Sequence, residues 1–165
     1  IKNLPEKNAS WYYEAKELGW NYRLNELSCA LGNNQLKYLG SNIRIRTNIA
    51  NLYNKFLYSV ENINLPSLQK NILHHAWHLY SIRINFDILR ISRGKVFTEL
   101  KKLGIAAQVH YIPLYMQPLY KDERNADLYN SLKYYKKTIS LPMYVGLKKE
   151  DIKYISNSLI KIIHG

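Results

Sequence analysis

The chain has 165 residues, 47% hydrophobic and 22% charged, which is enough apolar surface for one packed core and too much for a disordered segment. No apolar run approaches a membrane span, neither end carries the apolar region of a signal peptide, and the single Cys29 cannot close an intramolecular disulfide, so a reducing cytoplasm is the expected setting. Lys and Arg number 24 against 12 Asp and Glu, a net charge of +12 that invites anionic partners, but the basic residues are dispersed as Lys101-Lys102, Lys136-Lys137 and Lys148-Lys149, without the arm or Arg-rich stripe that tracks a nucleic-acid backbone.

Residues Ile1 to Ala9 form a polar lead-in with no initiator Met and no strand or helix pattern, and read as a cut from something longer. From Leu24 onward Leu27, Leu31, Leu36 and Leu39 recur near helical spacing, with Asn25 as N-cap and Gly40 as stop. A second helical period carries Ile45, Ile49, Leu52, Tyr53, Phe56 and Val60, and Asn64-Leu65-Pro66 breaks it before an extended segment. Residues His78 to Ile84 alternate as a strand with one buried face. Ser92 caps a helix through Val96, Phe97, Leu100 and Leu103, with Lys101 and Lys102 in its last turn and Gly104 as its end. Ile105 to His110 is predicted as the next strand, Ala126 to Tyr135 as a helix, Thr138 to Leu141 as a short strand before Pro142, and Ile152 to Ile163 as an amphipathic C-terminal helix. This order predicts an α+β domain: a sheet of about three strands, paired antiparallel, with helices on one face and a helical lead-in suited to an interface. No internal repeat is present.

Few residues suggest chemistry on their own. His74, His75 and His78 cluster, but no acidic residue or cysteine stands near them, and in a strand a spacing of four separates two side chains by more than about 10 Å, so packing is preferred over a metal site. Cys29 is expected on a packed helix face as a small apolar filler. Neither GxGxxG nor GxxxxGK[ST] occurs, which removes a Rossmann or P-loop nucleotide site. Two stretches stand out at element ends: Gly19-Trp20-Asn21-Tyr22-Arg23-Leu24, and Gln108-Val109-His110-Tyr111-Ile112-Pro113. Asn21 and Arg23 suit either a helix start meeting water or a phosphate, for which an amide beside a guanidinium fork is a good donor pair. His110 and Tyr111 suit either the rim of the sheet or an anionic or sugar ligand.

These stretches, with Ala30-Leu31-Gly32 to Gln35-Leu36, His75-Ala76-Trp77-His78-Leu79-Tyr80, Gln117-Pro118 and Ser140-Leu141-Pro142-Met143-Tyr144, resemble the DegT/StrS sugar-nucleotide aminotransferases. The resemblance runs through nearly the whole chain. It implies the small C-terminal domain of the aspartate-aminotransferase fold, with residues 1–23 as the tail of the cofactor-binding region and residues 24–165 as that domain with its interdomain helices. It implies pyridoxal phosphate as cofactor, a homodimer with shared active sites, a nucleotide-sugar substrate and glutamate as amino donor. The Schiff-base lysine of the family belongs to a large N-terminal domain that this sequence does not match, so the chain alone is expected not to transaminate. By resemblance Asn21 reaches across the dimer interface to the cofactor, with Arg23 beside it. His110 and Tyr111 border the nucleotide-sugar pocket, and Trp77 and Tyr80 pack the sheet. The segment Lys121-Asp122-Glu123-Arg124-Asn125 is shorter and more charged than the family's loop, which leaves a non-catalytic interaction or dimerisation module as the alternative.

Overall fold

Asn25 begins the first helix as its sequence position suggests: its side-chain oxygen accepts from the Ser28 N–H at 2.9 Å, and helix α1 runs Glu26–Leu36. In this computed structural model residues 8–66, 75–120 and 128–165 are described. The second helix, α2, spans Leu39–Leu57 and buries Ile49, Ala50, Tyr53 and Leu57. Strand β1 is Ile63–Asn64 and β2 is Tyr80–Ile84, followed by a single helical turn α3, Phe86–Leu89. Ser92 caps α4, Arg93–Lys102, by accepting from the Lys95 N–H at 3.1 Å. Gly104 follows with φ +74, the left-handed conformation a helix end asks of glycine. Two 3-10 turns, Leu114–Met116 and Pro118–Tyr120, lead towards α5, Tyr129–Lys137. Strand β3, Thr138–Leu141, and helix α6, Lys149–His164, complete the chain.

The sheet has the order β1-β2-β3 and is antiparallel throughout. Tyr80, Ile82 and Ile84 turn one side of β2 into the core, while Ser81 and Arg83 take the other side, as the pleat requires. Helix α6 packs against both α2 and α4, bringing Ile152, Ile155, Leu159 and Ile163 into the same core. The architecture is the small α+β domain expected from the sequence.

Three local expectations need correction. Gly40 does not stop α1: it lies in the first turn of α2, and α1 ends earlier, where the Lys37 and Tyr38 N–H groups close tight turns onto the Asn34 and Gln35 carbonyls. Cys29 is exposed, because α1 has no buried residue at all. Residues 105–110 form no strand but meet β3 only through the bridge of Gln108 to Ser140. Their apolar pattern comes from Ile105 and Val109 entering the core, while the third strand of the sheet is Ile63–Asn64. The α3 turn was not anticipated. His74, Ala126 and the segment from Lys121 to Asn125 lie outside the described residues.

Candidate functional site

The outward side of the sheet carries a short polar relay. Ser81 of β2 and Ser140 of β3 stand opposite each other, and their hydroxyl oxygens are 2.8 Å apart. Ser140 also exchanges both backbone hydrogen bonds with Gln108, at 2.8 and 3.0 Å, which fixes the chain that reaches His110 two residues later. His110 is thereby set with its Nδ1 2.9 Å from the Ser140 hydroxyl. Burial, together with the charge of neighbouring His78, holds the His110 imidazole below its ordinary pKa. Tyr111 presents its ring edge to His110 with centroids 4.6 Å apart, and is 60% exposed. A half-buried neutral imidazole beside an exposed phenol can donate to, or accept from, a polar ligand at this rim.

Trp77 and Tyr80 pack the sheet as expected. Tyr80 is fully buried, stacks on Tyr53 at 4.7 Å and donates to Asn54 Oδ1 at 2.6 Å. Trp77 is buried with φ 48, an unusual backbone for a bulky residue, and its carbonyl accepts from Arg46 Nη1 at 2.9 Å. The same nitrogen donates to the Met143 carbonyl at 3.1 Å, so one guanidinium of α2 ties the approach to β2 to the exit of β3. That tie orients the segment bearing His78. His75 is exposed and accepts from the Trp77 N–H through Nδ1 at 2.9 Å. Among the described residues no group of three or more His, Cys, Asp or Glu side chains is placed to hold a metal ion.

Asn21 and Arg23 lie elsewhere, on an arm. The segment from Trp11 to Ala15 is docked: Trp11 packs on Phe97 at 4.3 Å, Ala15 N–H donates to Gln117 Oε1 at 2.7 Å, and the Leu119 N–H donates to the Ala15 carbonyl at 2.9 Å. Beyond it every residue from Lys16 to Gly40 is exposed, including Trp20 at 85% and Leu27 at 83%. Within this arm the Arg23 N–H closes onto the Asn21 carbonyl at 3.1 Å, which sets the two residues in one turn. Among the described residues no hydrogen bond or ion pair joins the side chains of Asn21 or Arg23 to His110 or Tyr111. The sequence-predicted site residues therefore form two separate pairs, one on the sheet rim and one on the arm. An exposed amide and guanidinium whose side chains have no hydrogen bond or ion pair among the described residues fit a phosphate group.

Sequence reasoning missed Arg46, Ser81, Ser140 and Arg93. Arg93 is buried, donates to the Tyr135 carbonyl, and its guanidinium lies 4.9 Å from the Trp11 ring and 4.5 Å from the Tyr135 ring. No local pattern betrays such residues, because their partners are distant in sequence.

The chain belongs to the DegT/DnrJ/EryC1/StrS aminotransferase family, whose model matches residues 3–160. It is 34% identical over 158 residues to the UDP-4-amino-4,6-dideoxy-N-acetyl-beta-L-altrosamine transaminase of Campylobacter jejuni, covering 95% of this chain and 42% of that protein. Helicobacter pylori PseC, an aminotransferase involved in the biosynthesis of pseudoaminic acid, superposes with a TM-score of 0.76 at 31% identity, covering 95% of this chain and 42% of PseC. Spr1654 of Streptococcus pneumoniae, solved in its PLP form, shares the fold with a TM-score of 0.73 at 24% identity, covering 93% of this chain and 39% of Spr1654. The chain spans about two fifths of the length of these relatives. No helix among the described residues is long and apolar enough to cross a membrane.

Proposed function

We propose that the chain is the C-terminal part of a pyridoxal-phosphate-dependent aminotransferase that aminates a 4-keto, UDP-linked sugar, with glutamate as amino donor, for surface polysaccharide or glycan synthesis. The observation that carries this reading is the exposed arm from Lys16 to Gly40, which holds Asn21 and Arg23 in one turn beside leucines left exposed among the described residues. A residue pair presented in this way serves a site completed by another polypeptide segment. In the proposed homodimer Asn21 donates to the phosphate of the cofactor in the neighbouring subunit, and Arg23 adds charge there. His110 and Tyr111 meet the nucleotide-sugar, with Ser140 and Ser81 fixing the orientation of the imidazole. When bound, pyridoxal phosphate supplies the electron sink for amino transfer. The catalytic lysine is assigned to a large N-terminal domain, and this chain supplies binding and orientation.

The test is amination by the polypeptide that the gene encodes around this chain, given pyridoxal phosphate, glutamate and a UDP-4-keto sugar. An amino sugar product with cofactor absorbance is expected. Neither product nor cofactor absorbance in a folded dimer would favour the second reading, a non-catalytic dimerisation module, which the exposed apolar face of α1 also suits.

A further inference from the structure

Helix α5 has one wholly polar face. Asn130, Lys133, Tyr134 and Lys137 fall at i, i+3, i+4 and i+7, so their side chains share one side of the helix, and all four line a cleft of about 550 Å³. The opposite wall is the edge of the sheet: Arg83 of β2, its register partner Asn64 of β1, and Asn85 just past β2. Three cations thus line one concavity with no described carboxylate among the lining residues. Lys133 and Lys137 continue into an adjoining recess of about 320 Å³ whose lining also includes Lys136 and one carboxylate, Asp87.

Basic residues at the end of α5 complement the negative end of the helix dipole, and that accounts for Lys136 and Lys137. It does not account for Arg83, which projects from a strand, or for Lys133, a turn earlier. Nor does it explain the three amides and the phenol between the charges. Lys137 Nζ reaches across to Asn85 Oδ1 at 3.3 Å, which uses one of its three N–H donors and leaves two for a ligand. Like charges gathered on one concave surface repel one another, and a dianion relieves that repulsion. A cleft of this volume falls in the range of small-molecule sites. Its walls offer bidentate and point-charge donors for phosphate oxygens, and neutral amides for a hydroxyl-bearing body.

We propose that the cleft between α5 and the β1–β2 edge binds a phosphate group carried by a small polar molecule. A single concave pocket suits a compact ligand better than a polymer, whose backbone needs a run of cations along its path. Arg83 and Lys133 grip the phosphate, Lys137 is held in place by Asn85, and Asn64 and Asn130 meet the remainder of the ligand.

Isothermal titration of the whole polypeptide with glucose 1-phosphate, pyrophosphate and inorganic phosphate, at physiological ionic strength, tests this. Saturable binding of at least one is expected. Both Arg83 and Lys133 are exposed, so substitution there leaves the core intact. R83Q and K133Q are each expected to weaken binding about ten- to a hundredfold, the worth of a hydrogen bond to a charged group, while R83K and K133R retain most of it. Glucose 1-phosphate binding tighter than inorganic phosphate assigns part of the site to the organic body, and equal binding assigns it to the anion alone; both support the cleft. Unchanged retention of pyridoxal phosphate in R83Q separates these donors from those of Asn21 and Arg23. The proposal is overturned by the absence of saturable binding with all three probes, by Gln variants that bind as tightly as the parent, or by binding confined to a single-stranded oligonucleotide.

Discussion

Arg93 shows what one buried cation does for this fold. Its guanidinium lies between the Trp11 and Tyr135 rings and donates to the Tyr135 carbonyl, so it joins the N-terminal segment to α4 and to the end of α5. Arg93→Met keeps much of the apolar stem but takes one donor from the Tyr135 carbonyl, which retains the Thr138 N–H, and leaves both rings without their cation. A loss of roughly 2–4 kcal/mol in urea unfolding is expected from the hydrogen-bond and cation–π contributions together. Arg93→Lys should recover only part of it, because an ammonium cannot lie flat between two rings. His110 makes a prediction of opposite character, in pH. Its folded pKa is held below the ordinary 6.5, first by burial and then by His78. As pH falls below 6.5 the unfolded chain takes up a proton that the folded one resists, so stability declines until the folded pKa is passed and then levels. Imidazole titration by NMR should place His110 below a free histidine. His78→Gln should move it partway back, and His110→Gln should remove its share of the acid-side decline.

Elements differ in how openly the sequence announces them. Helices α2, α4 and α6 and strand β2 were legible because each buries one side against a single core, and burial writes a period into the sequence, whereas β3, buried at all four residues, was legible as a short run ended by Pro142. The caps at Asn25 and Ser92 were equally plain, since a cap is a contact between near neighbours. Helix α1 has the same period in leucines but none of its residues is buried, and there the pattern misled as to Cys29. The segment Ile105 to His110 failed for the converse reason: its apolar residues enter the core without a ladder beside them. Of the candidate site, Asn21, Arg23, His110 and Tyr111 were found through a family resemblance, whereas Ser81, Ser140 and Arg46 act through partners that only the folded chain brings near. Two substitutions test this division. Tyr53→Phe removes the partly buried bond from α2 to the Pro142 carbonyl, 2.9 Å long, and should cost about 0.5–1.5 kcal/mol in urea unfolding, the net worth of one such bond. Leu27→Glu with Leu31→Glu touches no buried residue of this chain. It should leave the urea midpoint of the chain within about 0.5 kcal/mol of the parent, yet convert the assembled protein to smaller species on size exclusion.

At the scale of the whole molecule the question is which subunit Asn21 serves. Among the described residues the arm from Lys16 to Gly40 is exposed throughout, so in the proposed dimer its polar turn is free to complete a neighbour's site. If sharing holds, the catalytic lysine of one subunit and Asn21 of the other form one unit, and the two defects complement. A full-length variant lacking the lysine and an Asn21→Ala variant should each show little activity alone, the second through weakened cofactor retention of about ten- to a hundredfold. Unfolded and refolded together in equal amounts, half of the dimers are mixed. In a mixed dimer one site inherits both defects and the other inherits neither, so about a quarter of all sites should be intact. Amination by the mixture should therefore rise to roughly a quarter of the parent rate, with cofactor absorbance rising alongside it. An Asn21 that serves its own subunit gives no such recovery, because each site then carries one defect whatever its partner. The recovered fraction thus reads the direction of the arm directly, independent of which sugar is aminated.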